Sequence, residues 1–174
     1  MSTGVGPFTA GTSEVETFAA FLREIGASDL AARREAITGH KQPRVDWALV
    51  NRTSIGLSDD EWKTAYAILL EGSRRVAEWS DEMQEALGWQ KGRFQADPAQ
   101  RAARTAKFEA LRARGDSIVG ETVVRLRREL GDDAFNRLDT FVIQRESGRR
   151  SVDRGPIRKG PVETAQSRGT QGRQ

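Results

Sequence analysis

Between Asp59 and Leu87 the chain reads DDEWKTAYAILLEGSRRVAEWSDEMQEAL, a run free of proline. Trp62, Tyr66, Leu69, Ser73, Val76, Ser80, Met83 and Leu87 follow one another at alternating spacings of four and three. That spacing gathers them on one face of an α-helix and makes the face a bundle or coiled-coil seam. Ser58 stands just before the run with Glu61 three residues on, the pattern in which a hydroxyl and a carboxylate each satisfy a free backbone N–H at a helix start. A helix over about 59–87 is therefore predicted, and its apolar seam demands a partner.

The partner lies directly downstream. Asp97 with Gln100, reinforced by Pro98 at the first helical position, marks a second start. From about 98 to 129, Phe108, Leu111, Gly115, Ile118, Val119, Thr122, Val123 and Leu126 fall on one arc, a broad core-facing stripe. At about 1.5 Å per residue each helix reaches roughly 45 Å, longer than a compact bundle of this size needs, so part of the pair is expected to project. The two are expected to form a long antiparallel hairpin with 88–97 at its tip. Gly72-Ser73 and Gly115 interrupt the two helices at matching heights, where small residues allow close approach.

Working outward, Ser13 with Glu16 opens a helix near 14–25, Ser28 a second near 29–38, and the Pro43 region a third near 44–54. Gly26, Gly88 and Gly148 sit where helices are expected to end. Leu57-Ser58-Asp59-Asp60-Glu61-Trp62, followed by Ile68-Leu69, is echoed by Leu130-Gly131-Asp132-Asp133-Ala134-Phe135, followed by Phe141-Val142, which reads as a repeated helix start and a short last helix. No segment carries a strand pattern. The expectation is an all-α fold of five or six helices dominated by the hairpin, with disordered termini: a flexible N-terminus over 1–13, a helical bundle over 14–146 and a basic disordered tail over 147–174.

Composition bounds the chemistry. The chain has 174 residues, the size of one domain, with no cysteine and a single histidine, His40. Cysteine nucleophiles, disulfides, zinc ribbons and histidine-based triads have no residues to use. A di-iron bundle needs two Glu-x-x-His motifs and none is present. No glycine-rich phosphate loop occurs either. The carboxylate pairs Asp59-Asp60, Asp81-Glu82 and Asp132-Asp133 diverge by about 100° around a helix and read as capping and solvated groups. No enzyme, cofactor or metal site is expected.

Net charge is +3. From Ser147 onward, Arg149, Arg150, Arg154, Arg158, Lys159, Arg168 and Arg173 oppose only Asp153 and Glu163, a local +5 that leaves −2 for the rest. Such a tail attracts phosphates or an acidic surface. Lys107, Arg114, Arg125 and Arg128 fall on one flank of the helix at 98–129 and could add anion or nucleic-acid contacts. At the tip, Lys91 and Arg93 lie between Trp89 and Phe94, the aromatic and basic mixture of protein interfaces and nucleic-acid sites. These four are the expected partner-binding residues. The mean hydropathy of −0.62 argues against a membrane span. The first thirteen residues hold neither a basic stretch nor an apolar core of the kind that directs export, so the chain as written is expected in the cytoplasm, or in the periplasm if a leader has been removed.

The stretches Leu111 to Ile118 and Leu126 to Gly131, with Phe135, Leu138-Asp139 and Phe141-Val142, resemble a group of uncharacterised, mostly exported bacterial all-helical proteins. Gly56 to Glu61 and Phe18 to Phe21 fit the same group, and the likeness spans about 15–145. It carries no catalytic residue across. Leu57 to Glu61 is also similar to the helix starts of LTxxQ-type periplasmic chaperones and stress sensors, whereas Leu130 to Ala134 departs from that pattern at Gly131 and Ala134. The expected function is a non-enzymatic helical interaction protein, a subunit or adaptor docking a protein partner through the tip and the apolar seam, with the tail as tether. The alternatives are a nucleic-acid accessory protein using tail and flank, and a chaperone-like or stress-sensing protein. Oligomeric state is not legible in the sequence.

Overall fold

The reciprocal cap at Ser58 forms as its residues require: the Ser58 N–H donates to Glu61 Oε2 at 2.6 Å and the Glu61 N–H to Ser58 Oγ at 3.2 Å. The Asp97 carboxylate accepts from the Ala99 N–H at 2.9 Å in the same manner. These caps launch the two long helices of a computed structural model that describes residues 12–88 and 97–153. Of the described residues 91% are helical and none lies in a strand.

Among the described residues four helices stand where five or six are expected, the last of them two helical runs that meet at a kink at Gly131. They are α1 (Thr12–Thr38), α2 (Trp47–Val50), α3 (Asp59–Gly88) and α4 (Pro98–Asp153). The reduction comes mainly from Gly26, which does not end a helix. It sits inside α1, and a Cβ there would lie 3.4 Å from that of Ser73, so the glycine provides the closeness at which α1 crosses α3. The real end is Gly39, whose φ of 70° is the left-handed conformation that closes a helix and whose N–H donates to Glu35 O at 2.8 Å. The segment expected as a helix near 44–54 is a single α-turn, capped by Asp46 through Leu49 N–H at 3.1 Å, that widens into a π-helical turn over Asn51–Ile55.

α4 loses helical geometry at Gly131 (φ 74°, ψ 167°), the point where the sequence places a repeated helix start. Phe135 and Val142 beyond it are buried, as are Trp62 and Leu69 in the echoing stretch, so both copies of the pattern serve the core. α4 then runs to Asp153, past the expected boundary at 146, and residues 147–153 are helix rather than tail.

Ion pairs join α3 to α4 at Glu61–Arg137 (3.2 Å), Glu71–Arg125 (2.6 Å), Arg75–Glu121 (2.7 Å) and Glu82–Arg114 (2.6 Å), with partner numbers falling on α4 as they rise on α3. Each is exposed and contributes at most about 1 kcal/mol. The apolar contacts carry more. Phe18, Phe21, Leu22 and Ile25 of α1 are fully buried against Leu69, Val76, Val123, Leu126, Phe135 and Val142. Phe18 stacks on Phe135 at 6.5 Å between centroids, and Phe21 meets Trp47 edge-on at 5.3 Å. At about 1.5–3 kcal/mol for each large apolar side chain removed from water, this three-helix core outweighs the surface pairs several-fold.

Candidate functional site

The seam of α3 changes character along its length. Trp62, Leu69, Ser73 and Val76 are buried; Tyr66, Ser80 and Met83 are half-buried; Leu87 is 44% exposed. On α4, Leu111, Gly115 and Ile118 are buried and Phe108 is half-buried. The gradient follows α1. Its first turns line a cleft of about 400 Å³ with Val15 and Ala19 facing Trp79, Met83, Arg112 and Val119. Beyond that cleft α3 continues to Gly88, while α4 begins at Pro98, about 20 Å of helix before Arg112. The part of the seam expected to dock a partner is thus, from Trp62 to Val76, already filled by α1.

The interrupting residues do not stand at the matching heights expected of them: Gly115 lies against Trp79 and Gly72 against Thr122, so each makes room for a side chain of the other helix rather than for the other glycine. A Cβ on Gly115 would come within 2.7 Å of the Trp79 ring, and one on Gly72 within 2.8 Å of Thr122 Oγ1. Trp79 lies across Gly115 and donates its indole N–H to Leu111 O at 2.7 Å, with the Arg23 guanidinium 5.6 Å from the ring. An aromatic side chain, rather than a neighbouring backbone, occupies the space that Gly115 leaves.

The cations expected on the flank of α4 are engaged. Arg114 donates twice to Glu82 at 2.6 and 2.8 Å, Arg125 to Glu71 at 2.6 Å and Arg128 to its neighbour Glu129 at 2.7 Å. Lys107 is not free either. The row is half of a mixed-charge surface whose carboxylates come largely from α3, which reduces its field for phosphates. Arg149 belongs to the fold as well, donating to Glu24 at 2.8 Å. Arg150 lies on the last turns of α4. The expected contact residues Trp89, Lys91, Arg93 and Phe94, and the tail cations Arg154, Arg158 and Lys159, lie outside the described residues.

The most concentrated chemistry was not legible in the sequence. Glu24 of α1 receives Arg145 through Nε at 2.9 Å and through Nη2, together with Arg149. Burial pushes the Glu24 carboxyl up, but the hydrogen bonds and charges of the two arginines outweigh it and hold the group below its ordinary value. Arg145 also lies 5.2 Å from the Trp47 ring. The cluster borders an open cleft of about 840 Å³ completed by Ser54, Phe141 and Gln144. Elsewhere among the described residues, Trp47 Nε1, Asn51 Oδ1, Asp139 Oδ1 and Glu146 Oε1 are buried without a hydrogen-bond partner, although Glu146 Oε1 lies 3.7 Å from Arg149 Nη1. Glu24 and Arg145 are far apart in sequence, and no local pattern announces their pairing.

His40 is exposed, its Nδ1 3.0 Å from Thr38 O. Among the described residues no three His, Asp or Glu side chains gather as a metal-ion set, and no helix is long and apolar enough to cross a membrane. Neither a family model nor a curated protein nor a solved structure matches the chain.

Proposed function

We propose that the protein is a helical subunit or adaptor, and that α3 with the first part of α4 forms a long antiparallel hairpin whose far end docks a protein partner. The falling partner numbers of the four interhelical ion pairs support the antiparallel sense. The single observation that supports the docking reading is the gradient along the seam: the heptad-like pattern continues past the buried Val76 to the half-buried Ser80 and Met83 and to Leu87, which is 44% exposed beside the buried Ala86. A seam of that pattern is a helix-binding surface wherever it lacks a neighbour. Trp89, Lys91, Arg93 and Phe94 follow directly and supply the aromatic and basic side chains that anchor interfaces.

The ion-paired flank weighs against nucleic acid, since Arg114, Arg125 and Arg128 already neutralise carboxylates. That second reading then rests on the tail. Affinity capture of the tagged protein from its own cells, with and without nuclease, separates the two. Docking predicts a stoichiometric, nuclease-resistant partner that is lost in a Trp89→Ala, Phe94→Ala double variant. Recovery of partners that vanish with nuclease, together with salt-sensitive filter binding abolished by removal of 154–174, would transfer the assignment to nucleic acid.

A further inference from the structure

We infer that the small pocket enclosed by Trp47, Trp62 and Tyr66 accepts an alkylammonium group. The inference goes beyond the docking reading and does not rest on it. The pocket measures about 250 Å³. Sites for drug-sized ligands begin at roughly 300 Å³, so the space suits one compact headgroup. Three aromatic side chains form its walls: Trp47 from α2, and Trp62 with Tyr66 from α3, whose rings stand 5.5 Å apart and tilted by 32°. Both tryptophans are buried and Tyr66 is half-buried, whereas Arg44, Asp46 and Ala48 of the lining are exposed and open the pocket to solvent.

Charge points to the same ligand. Asp29, Asp46 and Arg44 complete the lining. Asp29 pairs with Arg33 at 2.8 Å, and Arg44 with Glu35 at 3.4 Å. Counting these partners, three carboxylates stand against two guanidiniums, so the neighbourhood carries one net negative charge. The Tyr66 hydroxyl is pushed above its ordinary value, first by burial and then by the charge of Asp29, against the opposing pull of Arg44, which places the Asp29 carboxylate within electrostatic reach of the pocket's aromatic wall. A cation over aromatic faces is attracted by the negative face of the ring, the more so as it is desolvated. Trp47 already acts in this way toward Arg145, which lines the separate cleft beside Glu24 rather than this pocket.

An alkylammonium can arrive as a free amine or on the lysine side chain of a protein. The test titrates the full chain, at fixed ionic strength, with tetramethylammonium, with its neutral shape analogue tert-butanol and with a capped lysine, following the indole N–H resonances of Trp47 and Trp62. Saturable shifts with tetramethylammonium, at least about tenfold weaker for tert-butanol, are expected. Tyr66→Leu and Asp29→Asn should each weaken binding about fivefold to tenfold with cooperative melting retained. Capped lysine binding as well as tetramethylammonium assigns the pocket to a protein side chain, and binding of tetramethylammonium alone assigns it to a free amine. Absence of a saturable shift, or an equal response to tert-butanol, overturns the inference without recourse to any variant and leaves the docking reading untouched.

Discussion

The two ends of the α3 seam share one pattern and meet different fates. From Trp62 to Val76 the repeat packs with Phe18, Phe21, Leu22 and Ile25 of α1 in one core, and all its side chains but the half-buried Tyr66 are withdrawn from water. From Ser80 to Leu87 the same spacing continues with graded exposure, because the cleft beside Val15 and Met83 marks the edge of α1's cover. Helical periodicity encodes a face that wants a neighbour. It does not encode which neighbour: a third helix answers for one half, and the other half is the surface proposed above for a partner.

Substitutions at the two ends should break or sharpen this contrast. The largest difference is expected between Leu22→Ala, which hollows the sealed half at a cost of about 2–5 kcal/mol, and Leu87→Ala, which should stay within about 0.5 kcal/mol in chemical denaturation. Equal costs would dissolve the distinction. Gly115→Leu probes the boundary: its side chain must displace the Trp79 ring, and a loss of about 1–3 kcal/mol with altered tryptophan fluorescence is expected. A neutral result would mean that Trp79 does not lie across Gly115 in solution.

Glu24→Gln tests how α1 is held. It leaves Arg145 half-buried beside Trp47 without its carboxylate, and a loss of about 2 kcal/mol at neutral pH is expected. The native Glu24 carboxyl titrates below its unfolded value of 4.5. Its contribution is therefore complete above that value and disappears as pH falls through the lower folded one. Melting temperatures of wild type and variant should converge between neutral pH and the acid limit, and a constant gap would contradict the pairing. The smallest effect has the opposite sign. Burial raises the Asp139 carboxyl against the pull of Arg127, and its Oδ1 has no partner, so the ionised group costs stability at neutral pH. Asp139→Asn should stabilise by up to about 1 kcal/mol at pH 7, and a lower melting temperature would count against that account.

What could be read from the sequence follows from where the determining physics lies. The capping box at Ser58, the Asp97 start and both seams depend on residues within a few positions of one another, and the corresponding helices stand where the spacing puts them. Gly26 was misleading because its role is set by Ser73 on another helix. The flank cations are legible as a row, but their partners Glu71 and Glu82 sit on α3, so charge that looked available is spent. Arg149 reads as tail until Glu24 is seen beneath it. The aromatic pocket was hidden because Trp62 and Tyr66 read as seam, and Trp47 belongs to a turn with no periodicity of its own.

Amide hydrogen exchange on the full chain tests the central contrast most directly. Protection should be greatest at Phe18–Ile25 and at 118–126, where three helices meet, and should fall by orders of magnitude through 84–88 and 98–108, where most described side chains are exposed. Uniformly high protection through both segments would show the far end of the seam to be covered already, and would contradict its assignment as the docking arm.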